Sequence, residues 1–261
     1  MGLEQLFYEL AGGNLILLAG LGGLFTSLLN MLGALPILVL RGAESRLPDL
    51  GLGFAAGVML AASFTSLIIP GIRLGGIFPV LIGIGLGAIL VSLMDRLIPH
   101  MHAIIGVEGI SSRLRAIWLF ILAITIHNVP EGLAVGVGLG SGDLASGIAL
   151  MIAIALQNIP EGLSVGLSLI ATGSYSRGKA YLASSLSGLV ELPLALIGGL
   201  AVASTHKLIP YAMGFAAGAM IFVVSDEIIP EVHRLGREKS VTYSLIIGLL
   251  VMLLLDSLLS A

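Results

Sequence analysis

The chain has 261 residues, of which 57% are hydrophobic and only 10% are charged, and its net charge is −3. Soluble globular chains carry about a quarter charged residues, so this composition excludes an ordinary soluble domain and indicates a membrane protein. The chain has no cysteine, which excludes disulfides and thiolate metal sites, and its scattered basic residues argue against a nucleic-acid partner.

Hydrophobic segments long enough to cross a bilayer occur eight times along the chain. A helix needs about 20 apolar residues for one crossing, and each of these segments reaches that length. The sequence therefore predicts an all-α membrane protein with eight transmembrane helices and one transmembrane domain over residues 1–261. The predicted spans are residues 13–40, 50–70, 76–98, 116–139, 144–171, 180–204, 208–230 and 241–260.

The twelve basic residues predict how these spans are oriented in the membrane. All but two lie in loops that follow odd-numbered spans or, for Arg96, at the end of span three beside such a loop. Only Arg73 and Lys207 lie in loops that follow even-numbered spans. Because loops rich in Lys and Arg stay in the cytoplasm, the odd-numbered loops are predicted to be cytoplasmic. Both termini are then extracytoplasmic.

A short glycine-rich segment occurs twice, as GFAAGVM at residues 53–59 and as GFAAGAM at residues 214–220. The copies begin spans two and seven, which enter the membrane from opposite sides in this topology. Spans one to three and six to eight are therefore predicted to be inverted repeats, an arrangement typical of transporters. A packing motif of small residues would also explain the glycines, but it does not explain the opposite orientations.

A second repeat lies in the adjacent spans four and five, as HNVPEG at residues 127–132 and QNIPEG at residues 157–162. Together with span six it brings three carboxylates into the membrane, Glu131, Glu161 and Glu191. A charged group at the bilayer centre costs at least ~3 kcal/mol. Because these spans contain no Lys or Arg, the carboxylates need either protons or a bound cation.

Helical geometry relates the polar residues within each motif. Residues advance by about 100° each, so Glu131 lies angularly between His127 and Asn128 and can act with both. The same arrangement recurs in span five at Gln157, Asn158 and Glu161. Mixed imidazole and oxygen ligands suit Zn²⁺, Fe²⁺ and Mn²⁺ better than Mg²⁺ or Ca²⁺. Two such helices facing each other would enclose one or two cations.

Each motif also contains a proline, Pro130 or Pro160. Proline removes one backbone hydrogen bond and crowds the carbonyl four residues earlier, here at Ile126 and Leu156. The helices are predicted to bend there and to turn these carbonyls toward a cavity, where interrupted backbone is tolerated at membrane depth.

The paired motifs resemble the signature of the ZIP (Zrt-, Irt-like) metal transporters, and the GFAAG segments and short length resemble the prokaryotic GufA-like branch. The resemblance implies a 3+2+3 inverted-repeat bundle in the cell inner (plasma) membrane. It implies uptake of Zn²⁺ into the cytoplasm, with Fe²⁺, Mn²⁺ and Cd²⁺ as alternatives, by an elevator-like motion of spans one, four, five and six. The metal is then the transported substrate, no cofactor is expected, and the protein is expected to form a homodimer in the lipid bilayer.

The resemblance further implies a binuclear metal site. Its first ion would be bound by Met59, His127, Glu131, Gln157 and Glu161. Its second ion would be bound by Asn128, Asn158 and Glu191, with Glu131 and Glu161 shared between the ions. Many prokaryotic members have Asp where this chain has Asn158. The second site therefore lacks one negative charge, and we expect it to bind metal more weakly and less selectively.

Weaker signals lie outside the two motifs. His100 and His102, in the loop after span three, resemble the metal-binding histidines that family members carry there and suggest a regulatory site. Acidic residues at the cytoplasmic ends of spans three and seven suggest an exit path for the metal. They are Asp95, Asp226, Glu227 and Glu231.

Three other functions compete with a metal carrier. An intramembrane metal-dependent hydrolase would need an activated water and a general base around a retained metal, and the HExxH helix of many such enzymes is absent. A proton-coupled transporter of another solute would use the glutamates alone. A channel would use the same ligands, but inverted repeats favour alternating access.

Overall fold

The computed structural model describes residues 3–39, 47–97, 127–171, 173, 175–230 and 238–259. These residues are helical apart from short turns, and they contain no strand. The helices are α1 (Leu3–Leu10), α2 (Leu15–Ala34), α3 (Leu47–Ala62), α4 (Ile69–Gly75), α5 (Ile77–Leu97), α6 (127–140), α7 (Leu144–Ala171), α8 (Arg177–Leu189), α9 (Glu191–Ser204), α10 (Ile209–Val223) and α11 (Glu238–Leu259). Short 3₁₀ turns extend α2 over Leu35–Leu38 and precede α10 over His206–Leu208.

Seven helical segments of the described residues are long and apolar enough to cross a membrane. They are Leu15–Leu38, Asp49–Gly75, Ile77–Met94, Leu144–Ile170, Arg177–Ser204, His206–Asp226 and Lys239–Leu258. They correspond to every predicted span except the fourth, of which residues 116–126 lie outside the described residues, while residues 127–140 are helical. The prediction of an all-α, multi-pass membrane protein is confirmed, while the count of eight spans stays a prediction.

Span six is interrupted at its centre, a feature that hydropathy alone does not predict. The α-helix stops at Leu189, passes through a turn at Val190 and resumes at Glu191. Pro193 accounts for this break, because it has no amide hydrogen to donate to the carbonyl of Leu189. By contrast, α7 continues unbroken through Pro160. The break gives Glu191 a position at the start of a helix inside the membrane.

Spans two and seven each contain a π-helical turn, Ser63–Ile68 after α3 and Val224–Ile228 after α10. Each turn ends at the first residue of an Ile-Ile-Pro sequence, at residues 68–70 and 228–230, so the similarity of spans two and seven continues beyond the GFAAG segments. The proline of each sequence cannot donate a backbone hydrogen bond. The residue before it donates its amide hydrogen to the carbonyl five residues earlier, Ile69 to Phe64 and Ile229 to Val224. π turns are rare and often mark functional positions.

The glycines of the GFAAG segments let neighbouring helices approach to backbone contact. A Cβ on Gly57 of α3 would overlap the carbonyl oxygen of Leu245 in α11. A Cβ on Gly218 of α10 would overlap that of Ile84 in α5 in the same way. Spans two and seven thus pack on spans eight and three, respectively.

These two interfaces repeat each other residue by residue. Gly248 of α11 lies against the carbonyl of Phe54, and Gly87 of α5 lies against that of Phe215. Each residue of one interface has its counterpart in the other interface 161 positions away along the chain. The same separation relates Ser27 and Gly188, which are joined by a hydrogen bond. The exchange of partners, α3 with α11 and α10 with α5, is what a two-fold relation between the repeats produces.

Two glycines of α5 allow a direct test of this packing. A Cβ on Gly87 would overlap the carbonyl oxygen of Phe215, whereas a Cβ on Gly85 would meet no atom within 4 Å. Because overpacking costs roughly 1–3 kcal/mol, we expect Gly87→Ala to lower the thermal unfolding midpoint in detergent. Gly85→Ala, the control on the exposed side of the same helix, is expected to leave it unchanged or raise it. Equal midpoints for the two variants would contradict the assigned interface.

The remaining spans form a second group that surrounds the paired motifs. Helix α2 packs on α7, α8 and α9, and α7 packs on α8. Helix α6 lies against α2 through Gly22, whose Cβ would meet Val135 and Leu139. The two groups meet where α3 packs on α7, and there Gly51 lies against Pro160 and Ser164. The motif of span five therefore lies close to the boundary between the groups.

Candidate metal site

The glycines of the two motifs bring spans four and five close to their neighbours. A Cβ on Gly132 of α6 would lie 2.7 Å from the carbonyl oxygen and 2.8 Å from Cα of Glu191. A Cβ on Gly162 of α7 would overlap the carbonyl oxygen of Asn30 in α2. The second glycines continue these contacts, Gly136 with Ala195 and Gly166 with Ile37. Span four is thereby fixed against span six, and span five against span one.

The polar residues of the motifs lie in the protein interior. Six of the polar predicted ligands are at most 5% exposed, namely Asn128, Glu131, Gln157, Asn158, Glu161 and Glu191. His127 is only partly buried. Polar and charged groups are expensive to bury without partners, so this concentration on three adjacent spans requires a specific explanation.

The carboxamides of span five bind the glutamates of the neighbouring spans. Gln157 Nε2 donates a hydrogen bond to Glu131 Oε1. Asn158 Nδ2 donates to Glu191 Oε1 at 2.7 Å and to the backbone carbonyl of Thr26 at 3.2 Å. Span five is therefore connected by side-chain hydrogen bonds to spans one, four and six.

The charged groups form one electrostatic cluster. Glu131 interacts with both Glu161 and Glu191, and Glu161 also interacts with Glu191 and, attractively, with His127. The sequences of α6, α7 and α9 contain no Lys or Arg that could neutralise these carboxylates. Three acids that repel one another in a buried space are stabilised either by protonation or by a bound cation.

Several buried oxygens of this cluster accept no hydrogen bond from any described residue. They are Asn128 Oδ1, Glu131 Oε2, Gln157 Oε1, Asn158 Oδ1 and Glu191 Oε2. An unpaired buried polar group costs about 1–3 kcal/mol, and more when it is charged. Five acceptors without donors are poorly suited to a folded interior, but they match the ligands that a divalent cation uses. The donor set of carboxylates, amide oxygens and one imidazole fits a transition metal better than Mg²⁺ or Ca²⁺.

The arrangement is nevertheless not a closed cage of charged ligands. Within the described ranges, no three His, Cys, Asp or Glu side chains converge closely enough to hold one metal ion. The amide groups of Gln157 and Asn158 direct their nitrogens at the carboxylates of Glu131 and Glu191. For a metal to be bound between them, these two amides must turn so that their oxygens face the ion.

The other predicted residues are not brought into this cluster by any described contact. Met59 is buried in α3, and Asp226 is exposed in the π turn after α10. Asp95 and Glu227 lie on helical backbone, but their side chains are outside the described structure. His100, His102 and Glu231 also lie outside the described residues.

Span one supplies site residues that the sequence analysis did not identify. The Thr26 carbonyl accepts a hydrogen bond from Asn158, and its hydroxyl group faces the Glu191 carboxyl group. Asn30, one turn further along α2, is buried beside Gly162. The internal repeat could have identified Asn30, because Asn30 and Glu191 are separated by the same 161 positions as the corresponding residues of the two glycine interfaces.

Comparison with known proteins agrees with this site. Residues 102–256, more than half of the chain, match the ZIP Zinc transporter family. The chain is 45% identical over 253 residues to Zinc transporter ZIPB of Bordetella bronchiseptica, covering 92% of this chain and 80% of the relative. It is 38% identical over 248 residues to Zinc transporter GufA of Myxococcus xanthus, covering 90% and 97%.

A human relative, Zinc transporter ZIP11, is 36% identical over an alignment of 338 residues that covers 95% of this chain and 98% of the relative. The resemblance of the paired motifs to this family is thus confirmed over nearly the whole chain. The competing hydrolase has no support among these relatives, all of which are named as transporters. The chain is a transporter rather than an enzyme, and it belongs to the ZIP zinc transporter family.

Proposed function

We propose that this protein carries Zn²⁺ into the cytoplasm through the buried cluster between spans four, five and six. The observation that carries the proposal is the set of five buried oxygens without donors, in a chain whose relatives are named zinc transporters. Fe²⁺, Mn²⁺ and Cd²⁺ are further substrates of the same donor set. The metal is cargo, so its ligands must bind it well enough for entry and weakly enough for release.

Two ions can share this cluster in the proposed binuclear site. His127 and Gln157, with Met59 from span two, would bind the first ion, and Asn128, Asn158 and Glu191 would bind the second. Glu131 and Glu161 would bridge the ions. This assignment is supported by the mutual electrostatic interaction of the three glutamates and by the attraction between His127 and Glu161.

Transport would proceed by an elevator-like motion of one helix group along the other. The moving group would be spans one, four, five and six, which pack closely on one another around the site. The stationary group would be spans two, three, seven and eight, whose repeated interfaces are closed by glycine contacts. The sliding boundary would run between α3 and α7, where Gly51 lies against Pro160 and no bulky side chain of α3 intervenes at that point.

The proposal includes a complete topology. A single transmembrane domain over residues 1–261 would cross the cell inner membrane eight times as a 3+2+3 inverted repeat, with both termini extracytoplasmic, and would form a homodimer. Support comes from the 161-residue periodicity of the interfaces and the distribution of basic residues over the loops. The acidic residues Asp95, Asp226, Glu227 and Glu231 would line the exit, and His100 and His102 would regulate it.

Uptake of radiolabelled Zn²⁺ into proteoliposomes tests this function. Vesicles containing the protein are expected to accumulate zinc faster than empty vesicles, and unlabelled Cd²⁺ or Mn²⁺ should compete. Internal unlabelled zinc should accelerate exchange in a carrier but not in a channel. Proton flux without metal, at an undiminished rate, would instead support the proton-coupled transport of another solute.

Asn158→Asp tests the division into two sites. The variant adds a fourth carboxylate beside Glu191, so we expect it to bind the second zinc ion roughly tenfold more tightly and to release it more slowly. Isothermal titration calorimetry of the detergent-solubilised protein measures the stoichiometry, and the uptake assay measures turnover. A stoichiometry and affinity identical to those of the native chain would argue that Asn158 is not a metal ligand.

A further inference from the structure

Asn30 is a buried polar residue outside the predicted ligand set, and both polar atoms of its side chain, Oδ1 and Nδ2, lack hydrogen-bond partners among the described residues. It lies within α2, in the middle of the first span, and is 1% exposed. Its neighbours on α2 behave differently, since the hydroxyl groups of Thr26 and Ser27 both donate to the carbonyl of Gly23. A buried amide without partners destabilises a fold, so packing alone does not account for it.

The internal repeat relates Asn30 to Glu191. Each of the two residues lies against the glycine that ends one of the paired motifs. Gly162 packs on the backbone of Asn30 in α2, and Gly132 packs on the backbone of Glu191 in α9. The hydroxyl group of Ser27 in span one donates a hydrogen bond to the carbonyl of Gly188 in span six, and these two positions are also related by the repeat. Asn30 is thus the counterpart in the first repeat of an acidic residue in the proposed metal site.

The Asn30 amide lies in a space left by two glycines. A Cβ on Gly188 would be 2.5 Å from Cγ and 2.8 Å from Oδ1 of Asn30, and a Cβ on Gly162 would be 3.1 Å from the same oxygen. Any other residue at either position would displace this amide. Helices α7 and α8 therefore accommodate a polar group that forms no hydrogen bond with either of them.

The position of Asn30 relative to the site is also defined. The carbonyl of Thr26 accepts the Asn158 hydrogen bond, and Asn30 follows Thr26 by four residues on the same helix face. Gly162, beside Asn30, likewise follows Asn158 by four residues on α7. Asn30 thus lies about 6 Å beyond Asn158, toward the end of α7 that leads into α8.

We propose that Asn30 is a further metal-handling residue, whose amide oxygen receives the cation as it leaves Asn158 and Glu191 toward the loop between α7 and α8. The inference rests on the proposed transport function and adds one residue to those that contact the transported ion. A side-chain oxygen suits this role, because it can replace one of the water molecules around the ion as the ion moves away from its ligands.

Substitution by side chains with and without an oxygen separates this role from a structural one. Asn30→Leu fills the same space and removes both unpaired groups, and Asn30→Ala removes the oxygen and leaves the space open. Both variants are expected to lower the rate of radiolabelled Zn²⁺ uptake about tenfold, with an unfolding midpoint equal to or above that of the native chain in the leucine variant. Asn30→Asp, which keeps an oxygen at the position, is expected to retain at least half of the native rate despite a lower midpoint.

The control is Ser185→Ala, because Ser185 is a buried residue of α8 whose hydroxyl also lacks a partner among the described residues. Its uptake rate should equal that of the native chain. Uptake by Asn30→Leu at the native rate would overturn the role of Asn30 and leave the transport function intact. A folded Asn30→Asp as slow as the leucine variant would overturn it as well. Failure of the native chain to accumulate zinc would count against the proposed function itself.

Discussion

Simultaneous replacement of Glu131 and Glu161 by alanine is expected to reduce zinc uptake into proteoliposomes at least about 100-fold. Loss of a group that only supports a metal ligand typically costs 10–100-fold, and this variant removes the two proposed bridging ligands outright. It also frees the Gln157 amide, which donates to Glu131 in the native structure. Because the variant removes two mutually repelling buried acids, the fold should tolerate it, and the unfolding midpoint measured without metal should not fall.

Two controls make this result interpretable. Glu9→Ala removes an exposed glutamate at the end of α1 and should transport at the native rate. Glu131→Gln together with Glu161→Gln preserves the side-chain shape and one oxygen at each position but removes both charges, and its uptake rate should fall between those of the alanine variant and the native chain. Equal uptake by the native chain and the double alanine variant would refute the assignment of both glutamates.

Much of the fold follows from the sequence because a bilayer imposes a simple rule on composition. Segments of about 20 apolar residues must become spanning helices, and seven of the predicted spans coincide with described helices to within a few residues. The breaks within the spans are harder to predict. The π turns at Ser63–Ile68 and Val224–Ile228 depend on which backbone groups find partners after the helices pack, whereas the break at Val190 follows from Pro193 but is not visible in hydropathy.

In the site, too, relations within one helix could be predicted from the sequence, whereas contacts between helices could not. Helical angles suffice to relate Glu131 to His127 and Asn128, because all three residues lie within two turns of one helix. The hydrogen bonds from Gln157 to Glu131 and from Asn158 to Glu191 join different helices, so no local pattern predicts them. A lone Asn in an apolar span gives no signal by itself, and only the 161-residue repeat distinguishes Asn30 from a residue that fills space.

A methyl group at Gly132 is expected to reduce zinc uptake roughly tenfold or more, although position 132 carries no ligand atom. A Cβ there would lie within 2.9 Å of three atoms, the carbonyl oxygen and Cα of Glu191 and Cβ of Leu194. Two of these belong to the backbone, so rotation of a side chain cannot relieve the overlap. In Gly132→Ala, α6 and α9 must separate, which moves Glu191 away from Glu131. Uptake assays and calorimetry on the same preparation measure rate and zinc affinity.

Gly138→Ala provides the matched comparison within the same helix. A Cβ at Gly138 would meet Cδ2 of Leu150 at 3.1 Å and Cα of Gly147 at 3.6 Å, and the leucine methyl group can move aside. This variant should bind and transport zinc like the native chain. If both substitutions slowed uptake equally, general loosening of α6 would explain the effect and the contact with Glu191 would have no special role. A selective loss at Gly132, with reduced zinc affinity, would instead connect the small residues of the motif to the metal site, because the glycine sets the distance at which Glu191 acts.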